Sequence, residues 1–210
     1  MNRENKNQTV ESPETGGEKG IKERVRRDIA VFGSVRALCF AAMLAAMSLI
    51  LGKFLQIPNP FQEIIRISFE NLPIILAGMT MGPLVGALTG AVADLLGCAL
   101  YGYAINPIIT LGAAAVGLIS GIVANYVVRR PPALRVIVST VAAHLIGSVT
   151  IKSLGLAAWY LSSYNMGLLE LMLWRLLTYS IIAVAECAIL CLLMRNRAFA
   201  AQIERMRKRK

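Results

Sequence analysis

The stretch that decides the fold is GMTMGPLVGALTGAVAD, residues 78–94, in which glycine recurs at every fourth position and a carboxylate follows. One line along a helix would hold Gly78, Gly82, Gly86, Gly90 and then Asp94. Glycine weakens a helix that faces water, and a carboxylate is costly inside an apolar one. Both suit a membrane bundle, in which small residues let helices approach closely and a buried charge faces a cavity.

The surrounding sequence is hydrophobic enough to cross a membrane repeatedly. The 210 residues are 56% hydrophobic, and the mean hydropathy of +0.61 exceeds that of ordinary globular domains. One helical pass needs about 20 apolar residues. We predict spans at residues 36–55, 64–81, 84–103, 106–128, 134–162 and 167–194. The predicted fold class is therefore all-α, an integral membrane bundle of six transmembrane helices.

Two of these spans have unusual boundaries. Only Gly82 and Pro83 separate the second span from the third, which predicts a tight helical hairpin or one broken helix. The fifth span, residues 134–162, is longer than a bilayer requires. We expect it to tilt or to end in an irregular outer segment.

The positive charges predict the orientation and the domain limits. Eighteen of the 22 lysines and arginines lie before residue 37, within residues 129–135 or after residue 194. These segments share one side of a six-pass bundle, so the positive-inside rule places both termini in the cytoplasm. We expect a disordered cytoplasmic tail over residues 1–30, a membrane domain over 31–195 and a basic cytoplasmic tail over 196–210.

Several function classes lack their signatures in this sequence. There is no G-x-x-x-x-G-K-[ST] phosphate loop, so we do not expect the chain to hydrolyse ATP by itself. Its four cysteines show neither metal-ligand spacing nor a disulfide framework, and the net charge of +10 is explained by topology rather than nucleic acid. An ion-coupled transporter using Asp94 and Glu186, an intramembrane enzyme that adds His144 to them, and a structural subunit remain alternatives.

Polar groups within and beside the spans predict a binding site. Charged side chains that face lipid are expensive, so those within spans should face the bundle interior. The candidate ligand-binding residues are Arg66, Glu70, Asn71, Asp94, Tyr101, Tyr103, Asn106, His144, Lys152, Trp159 and Arg175. Together they indicate a pocket open to the outside for a flat, polar, anionic ligand. A purely structural reading pairs Lys152 with Asp94, and Arg175 with Glu170 or Glu186.

A row of alanines on the first span predicts a contact surface. Ala37, Ala41 and Ala45 recur at every fourth position, and Ala42 and Ala46 lie beside them. Small residues at this spacing serve close helix packing. The row can pack inside the bundle or against another membrane protein, and the pattern alone does not choose between them.

The stretch RISFENLPIILAGMTMGPLVGALTGAVADLLG, residues 66–97, resembles the substrate-binding S components of energy-coupling factor (ECF) vitamin transporters. The resemblance rests on Ile67-x-Phe69-x-x-Leu72-Pro73, on Gly82-Pro83-x-x-Gly86 and on the alanine row. Residues 90–114, GAVADLLGCALYGYAINPIITLGAA, are most similar to the folate-type S components. Riboflavin, thiamine, pantothenate or a related precursor remains an alternative ligand.

The resemblance implies a transport subunit in the bacterial cytoplasmic membrane, with no enzyme activity, no cofactor and no nucleic-acid partner. Such a subunit captures its vitamin from outside, beneath a loop that corresponds to residues 55–66. It then docks on a membrane subunit that carries two ATPases, through Ala37, Ala41 and Ala45. The vitamin is released inside the cell.

For folate, each chemical group of the ligand has candidate partners. The pterin edge would suit Asp94 or Asn106, because it alternates hydrogen-bond donors and acceptors. The ring face would stack on one of three aromatic residues, Tyr101, Tyr103 or Trp159. A glutamyl carboxylate would suit one of three cations, Arg66, Lys152 or Arg175.

Overall fold

The computed structural model describes residues 35–58, 66–128, 131–164 and 167–207, together with residues 26 and 29. The elements in chain order are α1 (Val35–Phe54), β1 (Ile57–Pro58), β2 (Arg66–Ile67), α2 (Asn71–Met81), α3 (Pro83–Tyr101), α4 (Pro107–Ile122), α5 (Pro132–Ala143), α6 (Lys152–Tyr164), α7 (Leu168–Arg195) and α8 (Arg197–Arg207). π-Helical segments extend α4 through Val123–Val127 and join α5 to α6 through His144–Ile151. The predicted all-α class is confirmed. Apart from residues 26 and 29, the expected N-terminal tail lies outside the described residues.

Within the described residues, five helical stretches are long and apolar enough to cross a membrane, and α2 is a shorter apolar helix of 11 residues. The prediction of a second span over residues 64–81 was therefore too long. Residues 66–67 instead form β2, which pairs antiparallel with β1. Every residue of α2 is buried. Because its neighbours cover it on all sides, this helix does not need the length of a lipid-facing span.

Helices α2 and α3 form a hairpin, which is the first of the two predicted alternatives. Gly82 adopts φ 104°, a conformation that side chains other than glycine rarely take, and Pro83 starts α3. A Cβ atom on Gly86 would lie 2.5 Å from the Cα atom of Gly78. That proximity requires the chain to fold back on itself at Gly82, so the line of glycines is divided between two helices.

The glycines of the hairpin pack against the backbone of α4, as the sequence predicted. A Cβ atom on Gly90 would overlap the carbonyl of Ala113, and one on Gly117 would overlap the carbonyl of Gly86. Helices this close gain dispersion contacts along their whole length, which is the main source of association where lipid replaces water. Helices α2, α3 and α4 are thus packed backbone against backbone.

The fifth predicted span is a continuous helical stretch with an irregular middle. α5 passes into the π-helix His144–Ile151, and α6 continues from Lys152. The predicted irregularity thus lies inside the span, whereas we expected it at the outer end. A π-helical segment changes the direction of the side chains that follow it, and such segments are frequent at functional sites. Here it precedes Lys152.

The alanine row of α1 faces inward. Ala37, Ala41 and Ala45 are buried, and the first two pack with Met81, Val85 and Ile203. The chain's own side chains cover these alanines, which is the first of the two predicted alternatives, packing inside the bundle. The alanines of α1 that remain exposed are Ala42 and Ala46.

The segment after α7 is helical over residues 197–207 and packs on the bundle through Ile203. It lies at the same end as the Gly82 turn, the start of α1 and Arg135. We call this end the basic end. The opposite end contains the end of α1, the β1–β2 pair and the start of α2, and we call it the cavity end.

Candidate functional site

A cavity of about 230 Å³ opens at the cavity end of the bundle. Its walls come from the second halves of α1 and α3, the segments before α2 and after α3, single residues of α2 and α4, and the first residue of α6. The polar lining residues are Ser48, Gln56, Ser68, Glu70, Asp94, Tyr101, Tyr103 and Lys152. A concave site of this kind, with a few polar groups in an otherwise apolar wall, is typical of small-molecule binding.

Asp94 lies in the cavity wall, one turn beyond Gly90 on the face of α3 that contacts α4. The Thr110 hydroxyl of α4 donates to Asp94 Oδ2 over 2.6 Å. The close α3–α4 packing brings these two side chains together. A carboxylate has about four lone-pair sites, so Asp94 keeps acceptor capacity for a ligand N–H group. This confirms the expectation that the glycine line ends at a carboxylate facing a cavity.

Lys152 supplies the positive charge of the site. Its Nζ atom lies 3.0 Å from Glu70 Oε1 and 3.5 Å from Asn71 Oδ1. A Cβ atom on Gly112 would lie 2.6 Å from Lys152 Cγ, so the absence of a side chain at Gly112 makes room for the lysine stem. Of the described side chains that line the cavity, Lys152 is the cationic one.

Two tyrosines form an aromatic corner at the end of α3. The Tyr101 hydroxyl donates to the Leu49 carbonyl over 2.9 Å, and its ring meets that of Tyr103 edge to face with centroids 6.2 Å apart. Gly102 ends the helix with φ 71°, which turns the chain back so that both rings border the cavity. Lys53 Nζ lies 4.9 Å from the Tyr101 ring centroid.

A chain of buried polar groups leads from the cavity into the bundle. Asn71 Nδ2 donates to Ser148 Oγ over 3.2 Å, and Arg175 donates to the Ser148 carbonyl through Nε and Nη2, at 3.1 and 2.7 Å. Arg175 also contacts Tyr179, whose ring stacks on His144 with centroids 5.1 Å apart. Arg175 and Asn71 therefore support the wall behind the cavity rather than line it.

His144 and Glu186 form the far end of this chain. The His144 Nε2 and Glu186 Oε2 atoms are 2.6 Å apart, and both residues are buried. Asp94 lies instead in the cavity wall with Thr110. The three residues of the enzyme alternative are thus divided between two places. His144, which we predicted as a ligand-binding residue, does not line this cavity.

The partners of the buried charges differ from those that the structural reading assigned. Lys152 pairs with Glu70 rather than Asp94, and Arg175 bonds to a backbone carbonyl and to Tyr179. Glu170 is exposed at the start of α7. The pairs of that alternative are not formed, because the rotation of each helix, which sequence does not give, decides which charges meet.

Asn106, Arg66 and Trp159 complete the set of predicted site residues. Asn106 is buried outside the cavity lining, where its Oδ1 accepts from the Ile108 N–H at the start of α4 and its Nδ2 donates to the Gly155 carbonyl. It is a helix cap. For Arg66 and Trp159 only the backbone is described, in β2 and in α6. Sequence reasoning missed Thr110, although its place one turn after Asn106-Pro107 indicates the same end of the bundle.

A second concavity, about 380 Å³, lies between the His144–Ile151 π-helix and α7. Its lining is mostly apolar and includes the exposed side chains Leu145, Leu176 and Val184. Side chains of this kind face lipid in a membrane bundle. The polar groups that can select a ligand are therefore concentrated in the first cavity.

The fold is a helical bundle with spans long and apolar enough to cross a membrane, and one end of it holds a cavity lined in part by polar side chains. Residues 36–194 match the family model for the substrate-specific component of ECF transporters. The chain belongs to this family. Its members are transporter subunits rather than enzymes, and the predicted family is confirmed.

Two similar proteins carry folate in their names. A folate transporter, FolT, from Clostridium novyi (strain NT) is 33% identical over 67 residues, which are 32% of this chain and 37% of that protein. The chain thus matches little more than a third of that relative's length. A crystal structure described as FolT bound with folic acid superposes with a TM-score of 0.59 at 25% identity, covering 74% of this chain and 90% of that one.

Proposed function

We propose that this chain is the folate-binding S component of an ATP-driven ECF importer. The observation that carries the proposal is the composition of the cavity, where the Asp94 carboxylate, an aromatic corner and the buried Lys152 line one space. Folic acid has a matching set of groups: a flat heterocycle with N–H donors, and a glutamyl tail with carboxylates. The two FolT proteins described above support the choice of vitamin.

Asp94 is the proposed partner of the pterin edge. Its Oδ2 accepts from Thr110, which orients the carboxylate and leaves acceptor positions for ring N–H and amino groups. Hydrogen bonds to a charged acceptor are about twice as strong as neutral ones, and the loss of one partner leaves a half-buried charge unpaired. Asp94 therefore discriminates a pterin from a ring of the same size that lacks donors.

Tyr101 and Tyr103 are the proposed stacking groups for the ring. The bond from the Tyr101 hydroxyl to Leu49 fixes one ring plane before a ligand arrives, which lowers the entropy lost on binding. Aromatic pairs contribute about 0.5–1.5 kcal/mol beyond the area they bury. The cavity of about 230 Å³ is below the roughly 300–1,000 Å³ of typical ligand sites, so only part of folic acid fits within it and the remainder extends through the opening.

Lys152 is the proposed partner of a ligand carboxylate. It is the cation in the described lining, and its stem is packed against Gly112. Arg175, the other buried cation of this region, is engaged with the Ser148 carbonyl and Tyr179. A fixed ammonium inside a partly apolar wall attracts a carboxylate more strongly than one in water.

We further propose that the cavity end faces the outside and that α1 docks on the energising membrane subunit. The concentration of lysine and arginine before residue 37, within residues 129–135 and after residue 194 supports this orientation. Since Ala37, Ala41 and Ala45 are covered, the docking face would be the exposed side of α1 around Ala42 and Ala46. Small residues there allow a partner helix to approach closely.

Equilibrium binding to the detergent-solubilised chain tests the proposed function. Folic acid, riboflavin, thiamine and pantothenate would be titrated separately under identical conditions. We expect saturable one-to-one binding of folic acid and no measurable binding of the other three. Tight binding of another vitamin, with none for folic acid, would refute the folate assignment and leave the family membership in place.

A further inference from the structure

The two partners of the cavity ion pair are buried to very different extents. Lys152 Nζ and Glu70 Oε1 are 3.0 Å apart, but the lysine side chain is 7% exposed and the glutamate side chain 39%. The lysine stem packs at Gly112, and Nζ has a second contact with Asn71. Lys152 is therefore the fixed partner, and Glu70 is the partner that can move into solvent.

Glu70 occupies a position from which its side chain can leave without disturbing α2. It lies between β2 and the first residue of α2, and its side chain does not cap that helix. Its backbone is held separately, because the Ser48 hydroxyl donates to the Glu70 carbonyl over 2.6 Å. The side chain thus contributes a charge to the cavity, while the backbone position depends on other bonds.

A buried ammonium without a negative partner is strongly destabilising. We propose that Glu70 is a built-in substitute for the ligand's carboxylate: it neutralises Lys152 in the empty cavity and is displaced when a carboxylate-bearing ligand binds. This inference rests on the proposed function and adds a residue that determines specificity. A ligand with the same ring but no carboxylate leaves the Lys152–Glu70 pair in place.

The exchange has a direct consequence for selectivity. The binding free energy from a ligand carboxylate is only the difference between two interactions, its own with Lys152 and the one that Glu70 loses. Removing the charge of Glu70 therefore strengthens the binding of carboxylate ligands and leaves uncharged ones unchanged. Such a gain of affinity on removing a lining side chain is not expected for a residue that merely supports the wall.

The test measures the dissociation constants of two ligands, folic acid and the carboxylate-free 6-hydroxymethylpterin, for matched variants of the full chain. Glu70→Gln keeps the size of the side chain and removes its charge. Glu170→Gln makes the same change at an exposed glutamate at the start of α7. We expect Glu70→Gln to bind folic acid about five- to tenfold more tightly and the pterin within about twofold of the unaltered chain. Glu170→Gln should change neither value.

The double variant Glu70→Gln/Lys152→Met leaves no unpaired buried charge, so it provides a second test if Glu70→Gln alone does not fold. We expect it to lose most of the preference for folic acid over the pterin. Three results would overturn the inference while folate binding stands. Glu70→Gln could bind folic acid more weakly, or it could change the affinity for both ligands equally. The double variant could keep its full preference for folic acid over the pterin. Failure of the unaltered chain to bind either ligand would instead refute the proposed function, and this inference with it.

Discussion

The two halves of α3 show how one helix can close a bundle at one end and open it at the other. Toward the basic end, Gly86 and Gly90 bring the α3 backbone against the α4 backbone, so that no space remains between the helices. Toward the cavity end, Asp94 and Tyr101 continue the same helix with side chains that line a hollow. The close contact fixes the distance between the helices, and the larger side chains beyond it decide what the resulting space can bind.

The strongest way to break this comparison is to fill the closed half. In Gly90→Leu the new side chain would overlap the Ala113 carbonyl, which belongs to a backbone that cannot move aside. We expect a loss of folded protein, visible as aggregation in size-exclusion chromatography. The control is Gly167→Ala, where an added Cβ meets nothing within 4 Å. A monodisperse Gly90→Leu protein would show that the close packing is dispensable.

Changing the open half should affect binding and spare the fold. Asp94→Asn keeps the shape of the side chain but removes the charged acceptor that Thr110 orients. We expect folic acid and 6-hydroxymethylpterin to bind about 100-fold more weakly, with an unchanged elution profile. Isothermal titration gives both values. Unaltered affinity would place the pterin edge elsewhere.

A second comparison, between the buried and exposed sides of α1, tests the proposed docking face. Ala42→Trp adds bulk on the exposed side, so we expect folic acid binding within about twofold of normal and uptake by cells reduced about tenfold or more. Ala41→Trp adds the same bulk where Met81 and Ile203 pack, and should reduce the yield of folded protein. Normal uptake by Ala42→Trp, with radiolabelled folic acid as the tracer, would exclude this face as the docking surface.

A small effect on binding is also expected from the far end of the polar chain. Glu186→Gln weakens the buried contact with His144, which lies two residues beyond Arg175 in the chain of contacts. We expect the thermal midpoint to fall by several degrees, because breaking a buried pair costs roughly 3–5 kcal/mol. Folic acid affinity should stay within about twofold. A larger loss would mean that the polar chain transmits strain to the cavity.

The spacing of residues along the sequence was enough to predict features that are set by local sequence patterns, such as a close-packing face or a helix start. The glycine period predicted the close face of the α2–α3 hairpin, and the next position on that line predicted Asp94 in a cavity wall. The sequence Asn106-Pro107 also indicates that Asn106 caps a helix, because asparagine before a first-turn proline is a common helix start. We had instead assigned this residue to the ligand.

The sequence did not predict features that depend on how each helix is rotated about its own axis. α1 has small residues on two faces, so hydropathy did not show that Ala37 and Ala41 face inward and Ala42 outward. The partner of Lys152 depends on the π-helix that precedes it, and no sequence pattern predicts a π-helix there. The short length of α2 follows from its complete burial, which is a property of its neighbours.

The most direct test of the account is an experimental structure of the chain determined with folic acid. We predict the pterin against Asp94 and beside Tyr101, with a glutamyl carboxylate on Lys152 and the Glu70 side chain withdrawn from it. Folic acid bound in the groove between the π-helix and α7, or a cavity that stays empty beside an intact Lys152–Glu70 pair, would contradict it.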